Sequence, residues 1–482
     1  MYSPTLEQVE QYAKTANLVP IYREINADLE TPVSAYLKIA RPPYSFLLES
    51  VEGGEHIARY SFIGTEPTKV FRTGKGEEYG EVDPLKPIEV ELAKYTMADV
   101  PGSERFNGGA VGYLTYDAVR YFEKLPTPEA DPIGVPDSIF MLTSTFVIFD
   151  HLRHKIKVVS HAHLDGDVDR AYSEAVQRID DIVARLDAPV KVPKSGNGPV
   201  VKDSPVETNI TPEFYESMID KTREYIIAGD VIQAVVGQRM ARKTSAHPFQ
   251  IYRALRAINP SPYMYYLELD GFQIVGASPE MLVQVQDGKV AVHPIAGTRR
   301  RGSNEEEDRE LEEELRTSEK ERAEHIMLLD LGRNDVGRVS QPGTVEVSQV
   351  MDIERYSHVI HLVSHVTGTL QDGYSNYDAL RACFPAGTVS GAPKIRAMEI
   401  IAELEPVKRG VYAGAVGYFD FKGNMDTAIA IRTAVIKDNT LHIQAGAGVV
   451  ADSIPRLEWK ETMNKGRAIF RAVAMTYNDY DH

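Results

Sequence analysis

Short apolar runs divided by turn residues, interrupted by a few stretches of helical period, make up this chain. Ser45-Phe46-Leu47-Leu48-Glu49-Ser50 and Arg59-Tyr60-Ser61-Phe62-Ile63-Gly64 read as strands. Phe140 to Asp150 and Lys155 to Ser160 predict a hairpin joined by His151-Leu152-Arg153-His154. Over residues 168–186 the apolar side chains of Val168, Tyr172, Val176, Ile179 and Ile182 recur with helical period. Residues 187–209 hold Pro, Gly, Ser and Lys with little periodicity, which predicts a linker between an N-terminal part, 1–204, and a second part, 205–482. Thr211-Pro212-Glu213 then gives the order of cap, proline and acid expected at a helix start, and Gly229 closes that helix.

Hairpins follow. Tyr263–Leu269 and Phe272–Ala277 flank Asp270-Gly271, and Leu282–Gln286 and Val290–Ile295 flank Asp287-Gly288, both strong two-residue turn signals. Residues 304–332 read as helical, with a second start at Ser318, where Ser318 and Glu321 predict a capping box. A further hairpin set spans Gly414 to Val450, and a last helix runs from about Arg456 to Tyr477. Strands in hairpins with helices between the sets predict an α+β fold, not a doubly wound parallel sheet.

Composition narrows the functional classes. Lys+Arg 53 against Asp+Glu 70 leaves a net charge of −17, which argues against a nucleic-acid partner because a polyanion needs a basic face. A few basic side chains inside a pocket can still bind a small anion. Cys383 is the only cysteine, so neither an internal disulfide nor a cysteine-based zinc site is expected. No apolar run reaches the roughly 18 residues of a membrane span, and the polar start Met1–Glu10 is unlike a signal peptide. The expectation is a cytoplasmic enzyme.

Three groups of residues could carry chemistry. Glu458, Glu461 and Lys465 share one face of the last helix, and Glu321 and Glu324 form a second acidic pair; together they could converge on a hard cation. On spacing alone the ordinary reading is a solvated face with an ion pair. Glycine turns at Gly297-Thr298, Gly387-Thr388 and Gly446-Ala447-Gly448 could offer backbone N–H groups to a carboxylate, or could be tight turns only. Arg432, in the apolar run Ala428–Ala434 read as a central strand, needs an anionic partner, and His361 lies between Ile360 and Leu362 in a similar run. No phosphate loop or dinucleotide fingerprint is present, which disfavours nucleotide enzymes.

The same segments carry a resemblance. Gly276-Ala277-Ser278-Pro279-Glu280, Pro294-Ile295-Ala296-Gly297-Thr298, Glu324-His325 leading into Asp330-Leu331-Gly332-Arg333-Asn334-Asp335, and Gly387-Thr388-Val389-Ser390-Gly391-Ala392-Pro393-Lys394 occur in that order. Gln444-Ala445-Gly446-Ala447-Gly448 and Glu461-Thr462-Met463-Asn464-Lys465 complete a set that resembles the chorismate-utilising enzymes over most of the second part. The resemblance implies a large sandwich of mostly antiparallel β-sheets with helices outside, binding Mg²⁺ and chorismate at the sheet ends. It makes Glu324 and Glu461 the Mg²⁺ ligands and Glu321 and Glu458 supporting acids. Gly297, Thr298, Thr388 and Gly448, with Gly387 and Gly446 beside them, would contact the ring carboxylate. Tyr412, Arg432 and Lys465 would grip the enolpyruvyl group. Glu280 resembles the general acid for the departing hydroxyl, and His361 the base of the later pyruvate elimination.

Two positions choose within the family. Gln233 stands where water-using members carry a lysine base, and an amide cannot act as one. Ala296 stands where the aminodeoxychorismate-forming members carry a nucleophilic lysine. Both favour ammonia as nucleophile and anthranilate as product, with an aminodeoxychorismate synthase, an enzyme that stops at the aminated intermediate, and a non-catalytic sensor of chorismate or tryptophan as the alternatives. Leu47-Leu48-Glu49-Ser50 and Asn259-Pro260-Ser261-Pro262-Tyr263-Met264 resemble the two halves of a tryptophan feedback site, with Glu49, Ser50, Pro262, Tyr263 and Met264 as its lining. Cys383 has no glutaminase setting, so the resemblance also implies a separate glutamine amidotransferase subunit as ammonia source.

Overall fold

The computed structural model describes residues 1–51, 59–102, 106–193, 204–356 and 359–478. Residues 194–203 of the expected linker lie outside the described residues.

Two large sheets form the centre. Among the described residues, one has twelve strands and the other ten, and every pairing within them is antiparallel. Strands such as Gly109–Leu114 and Ser138–Thr143 are buried along their whole length, as apolar runs covered on both faces must be. Alternation along single strands shows how the layers stack. On strand Tyr44–Glu49, Phe46 points into a cluster shared with Tyr113, Ile139 and Tyr418, while Leu47 faces Ile179, Leu255 and Tyr266 on the other side. The first cluster is the sheet-on-sheet core. The second is packed beneath helices Val168–Leu186, Pro248–Ile258 and Pro455–Asn478. The ten-stranded sheet is covered in turn by residues of helices Glu319–Gly337 and Asn376–Cys383. The result is the expected α+β sandwich with sheets inside and helices outside.

The sequence break near 187–209 is not a break in the sheets. Strand Tyr44–Glu49 pairs with Tyr263–Leu269, and Gly109–Leu114 pairs with Ala415–Asp420, so both sheets draw on both parts of the chain. No helix among the described residues is long and apolar enough to cross a membrane.

Local readings hold where turn chemistry is explicit. Asp270-Gly271 and Asp287-Gly288 adopt positive φ and close the two expected hairpins. Thr211 caps helix Pro212–Ile227, accepting from the Phe214 N–H. Four details differ. Phe140–Asp150 is not one strand: Ser138–Thr143 lies in the ten-stranded sheet and Thr145–Asp150 in the twelve-stranded one, with buried Ser144 at the corner. The strand expected over Val290–Ile295 ends at Val292, because Pro294 cannot donate to a ladder, and Ile295 starts the next strand, Ile295–Arg300. At Ser318 only half of the capping box forms: its hydroxyl accepts from the Glu321 N–H, but the Glu321 carboxylate turns to Arg299 at 3.0 Å. The run Ala428–Ala434 is likewise no single strand; Met425–Ile429 and Thr433–Lys437 belong to different sheets, and Arg432 makes the crossing at φ +50°.

Candidate active site

Two crossings between the sheets lie side by side. One is the turn from strand Phe272–Ser278 to strand Met281–Gln286, which carries Glu280; the other is the segment Ala430–Arg432. They are bonded together: Ala277 N–H donates to the Arg432 carbonyl (3.1 Å), Ile429 N–H to the Glu280 carbonyl (3.1 Å), and Ser278 Oγ to the Ile429 carbonyl (2.7 Å). An acid and a guanidinium are thereby fixed on neighbouring backbone.

Glu280 is 9% exposed, and burial pushes its carboxyl up to about 8, against the opposing pull of the Thr388 hydroxyl. Both residues line a small cavity of about 40 Å³ with Gly387, Leu331, Asp335 and Cys383. Thr388 Oγ1 is buried without a hydrogen-bond partner of ordinary geometry. Gly387 allows this approach, since a Cβ there would lie 2.2 Å from Leu331 on helix Glu319–Gly337.

Arg432 carries a guanidinium that, among the described residues, makes no hydrogen bond or ion pair. Burial lowers its pKa, while Tyr412 and Glu461 oppose the shift. Tyr412 reaches Gly446, where a Cβ would sit 2.8 Å from its hydroxyl, and Lys465 donates to the Gly446 carbonyl at 2.7 Å. Gly448 faces Gln233, whose amide nitrogen would lie 2.5 Å from a Cβ at that glycine. His361 is paired across the ladder with Thr298, and its Nδ1 donates to the Gly297 carbonyl at 2.9 Å. A carbonyl can only accept, so Nδ1 holds the proton and Nε2 keeps its lone pair. Burial lowers the His361 pKa and the nearby Arg432 charge lowers it further, which keeps the ring neutral.

Helices Glu319–Gly337 and Pro455–Asn478 bring their acids within electrostatic reach of one another. Glu324 is half-buried; burial raises its pKa, and Glu321 and Glu461 raise it further. Glu458 is raised by burial and by Glu461. Glu321 is tied to Arg299 (3.0 Å) and Glu461 to Lys465 (2.7 Å), whereas Glu324 is unpaired among the described residues. No group of three or more acidic, histidine or cysteine side chains is preformed for a metal among the described residues. The donor set nevertheless fits a magnesium ion, which takes one or two carboxylates and keeps the rest of its shell for water and substrate oxygens. A cation at Glu324 would also relieve the repulsion that raises its pKa.

Glu49, Ser50, Pro262, Tyr263 and Met264 meet elsewhere, in the wall of a cavity of about 710 Å³. Glu49 and Met264 are direct partners on adjacent strands. One Glu49 oxygen accepts from the Tyr252 hydroxyl and from Arg256 Nε (3.0 Å); the other is buried without a partner, as is Ser50 Oγ. Among the described residues this cavity is lined by the acids Glu49, Glu354 and Asp426 and by no lysine or arginine, with Arg256 paired to Glu49 outside the lining, so its field suits an ammonium group and not a dianion. Met281 and His293 form part of the wall of both cavities.

A family model described as chorismate binding enzyme matches residues 43–471. The chain belongs to that family. Among the chorismate-binding enzymes, the anthranilate synthase component 1 of Pseudomonas putida is 51% identical over 475 residues, covering 95% of this chain and 96% of that protein. That of Acetivibrio thermocellus is 48% identical over 487 residues, covering 98% and 99%. The crystal structure of anthranilate synthase component I from Streptococcus pneumoniae superposes with a TM-score of 0.76 at 37% identity, over 92% of this chain and 98% of that one. The menaquinone-specific isochorismate synthase of Escherichia coli, 18% identical, shares the fold with a TM-score of 0.72.

Some members of the site are not visible in the sequence. Asp335 and Lys394 stand inside family motifs yet give no sign of pairing, and His293 immediately precedes Pro294-Ile295-Ala296-Gly297-Thr298. Their signal is contact across the fold, which spacing does not reveal.

Proposed function

We propose that this chain is the chorismate-converting component I of anthranilate synthase, a lyase that aminates chorismate with ammonia and then releases pyruvate to leave anthranilate. The observation that carries the reading is a carboxylic acid held protonated to about 8 beside the buried Thr388 hydroxyl, next to an arginine unpaired among the described residues.

Arg432 binds the enolpyruvyl carboxylate through its planar fork of donors, with the Lys465 ammonium and Tyr412 hydroxyl beside it. The turns at Gly297-Thr298, Gly387-Thr388 and Gly446–Gly448 receive the ring carboxylate through backbone N–H groups and hydroxyls. Glu324 and Glu461 would hold Mg²⁺, with Glu321 and Glu458 in support; the ion supplies charge neutralisation at the ring carboxylate. As ammonia attacks the ring, Glu280 gives its proton to the departing hydroxyl, which leaves as water. His361 Nε2 then takes the ring proton at the aminated carbon, the adjacent ring C–O bond breaks, the ring becomes aromatic, and enolpyruvate leaves and takes up a proton at its methylene carbon to give pyruvate. Ala296 offers no nucleophile for a covalent route, and Gln233 offers no base for water.

Ammonia comes from a separate glutamine amidotransferase subunit. Cys383 cannot serve as a glutaminase nucleophile, because burial pushes its thiol far above the usual range. The larger cavity takes tryptophan, its ammonium on Glu49 and Ser50 and its indole against Pro262, Tyr263 and Met264. Through the shared wall at Met281 and His293 its occupation bears on the turn that holds Glu280.

Glu280→Gln tests the reading. The variant binds chorismate within about threefold of the wild type, while kcat falls by about 100-fold or more. A variant that keeps more than about a third of wild-type turnover removes Glu280 from the reaction.

A further inference from the structure

Lys394 is 9% exposed, and its ammonium donates to Asp335 Oδ2 at 2.7 Å and to the Cys383 carbonyl at 3.1 Å. Cys383 ends helix Asn376–Cys383 and Lys394 begins helix Lys394–Leu404. Between them run residues 384–393, the segment that carries Gly387 and Thr388. A single ammonium therefore fastens both ends of that segment to one carboxylate. Asp335 sits on helix Glu319–Gly337, the helix of Glu321 and Glu324, and about 16 Å along it from Glu324. Asp335 and Cys383 line the same cavity as Glu280 and Thr388.

We propose that Lys394, paired with Asp335, is a positioning residue: it sets the Gly387-Thr388 turn against both Glu280 and the helix that carries the candidate metal acids. Stability alone does not call for this pair. Replacing a buried ion pair with apolar groups of similar volume is often neutral, whereas losing one partner strands a buried charge. What an apolar pair cannot do is bond a backbone carbonyl and a carboxylate at once, and so tie both ends of a ten-residue segment to one point. Misplacement of about 1 Å can cost a site about 100-fold in rate.

This inference rests on the proposed activity, because chorismate amination is its readout. The full-length chain carrying Lys394→Met together with Asp335→Leu removes both charges at once and keeps an apolar filling. It is compared with the wild type by thermal melting and by anthranilate formation with Mg²⁺ and ammonium across pH. The expected result is a cooperative melt near the wild-type temperature with kcat lowered about 10-fold or more, and by more than the chorismate KM rises. The alkaline limb of the profile also moves to lower pH, because water reaching Glu280 weakens the burial that raises its pKa, and this larger effect outweighs the loss of the opposing pull from Thr388. A folded double variant with kcat within about twofold of the wild type and an unmoved limb overturns the proposal. Should the double variant fail to fold, Asp335→Asn, which preserves shape and an acceptor for Lys394, replaces it; lowered kcat and a shifted limb support positioning, and wild-type values for both overturn it. A wild type without anthranilate formation refutes the activity itself, an outcome distinct from either.

Discussion

The burial that keeps Glu280 protonated to about 8 governs two pH dependences. In the proposed reaction, turnover needs Glu280 to hold its proton and His361 to lack one. Activity therefore rises as pH climbs through the His361 titration, below the usual 6.5, and falls as pH passes about 8. For stability, the folded protein binds more protons at this site than the unfolded chain between 4.5 and about 8. That contribution is fully present below 4.5 and is lost as pH rises through about 8. Glu280→Gln has no such loss, so its melting temperature relative to the wild type climbs over this window; a constant difference would show that Glu280 is not buried as described. Arg432 gives a second prediction at this scale. Arg432→Lys retains charge without the planar fork, and the chorismate KM rises about 10-fold or more; an unchanged KM would remove it from the substrate grip. The sequence disclosed Arg432 as a polar residue in an apolar run but not its place at a sheet crossing. Apolar alternation looks the same whether a run stays in one sheet or passes into the next.

At the scale of elements, the two acid-bearing helices work as a pair. Burial raises the pKa of Glu324 and of Glu458, and the neighbouring Glu461 carboxylate raises both further, so a divalent ion bound between the helices would stabilise the fold. Mg²⁺ at about 100 times its Kd adds about 2.7 kcal/mol, read as a rise in melting temperature. In the Glu324→Gln, Glu461→Gln variant that rise disappears; a rise that persists would place the ion elsewhere. Elements with local signals were legible: the two Asp-Gly hairpins, the Thr211 cap and the helix start at Ser318. The corner at Ser144 was not, because the strands on either side are buried on both faces and nothing in their composition marks where one sheet ends. The second half of the Ser318 capping box failed because a stronger partner, Arg299, reaches Glu321 from strand Ile295–Arg300.

At the scale of the whole molecule, the proposed catalytic residues were legible chiefly through the family resemblance, and the interleaving of the sheets only where that resemblance joined Glu49 and Ser50 to Pro262, Tyr263 and Met264. Strand Tyr44–Glu49 finds Tyr263–Leu269 across more than two hundred residues, and no turn signal records such a pairing. That pairing is what joins Glu49 to Met264 and builds the larger cavity. If tryptophan in that cavity opposes chorismate, the coupling is reciprocal. Calorimetric titration then finds tryptophan lowering chorismate affinity by the same factor as chorismate lowers tryptophan affinity; unequal factors or no tryptophan binding at millimolar concentration would sink the two-site reading. The central claim is the reaction itself. Its most direct measurement incubates the purified chain with chorismate, Mg²⁺ and ¹⁵N-ammonium and identifies the products by fluorescence and mass. Labelled anthranilate with an equal amount of pyruvate, abolished by EDTA, is the expected result. An aminated product that keeps its enolpyruvyl group, or a hydroxylated one without label, would contradict the proposed roles of His361, Ala296 and Gln233.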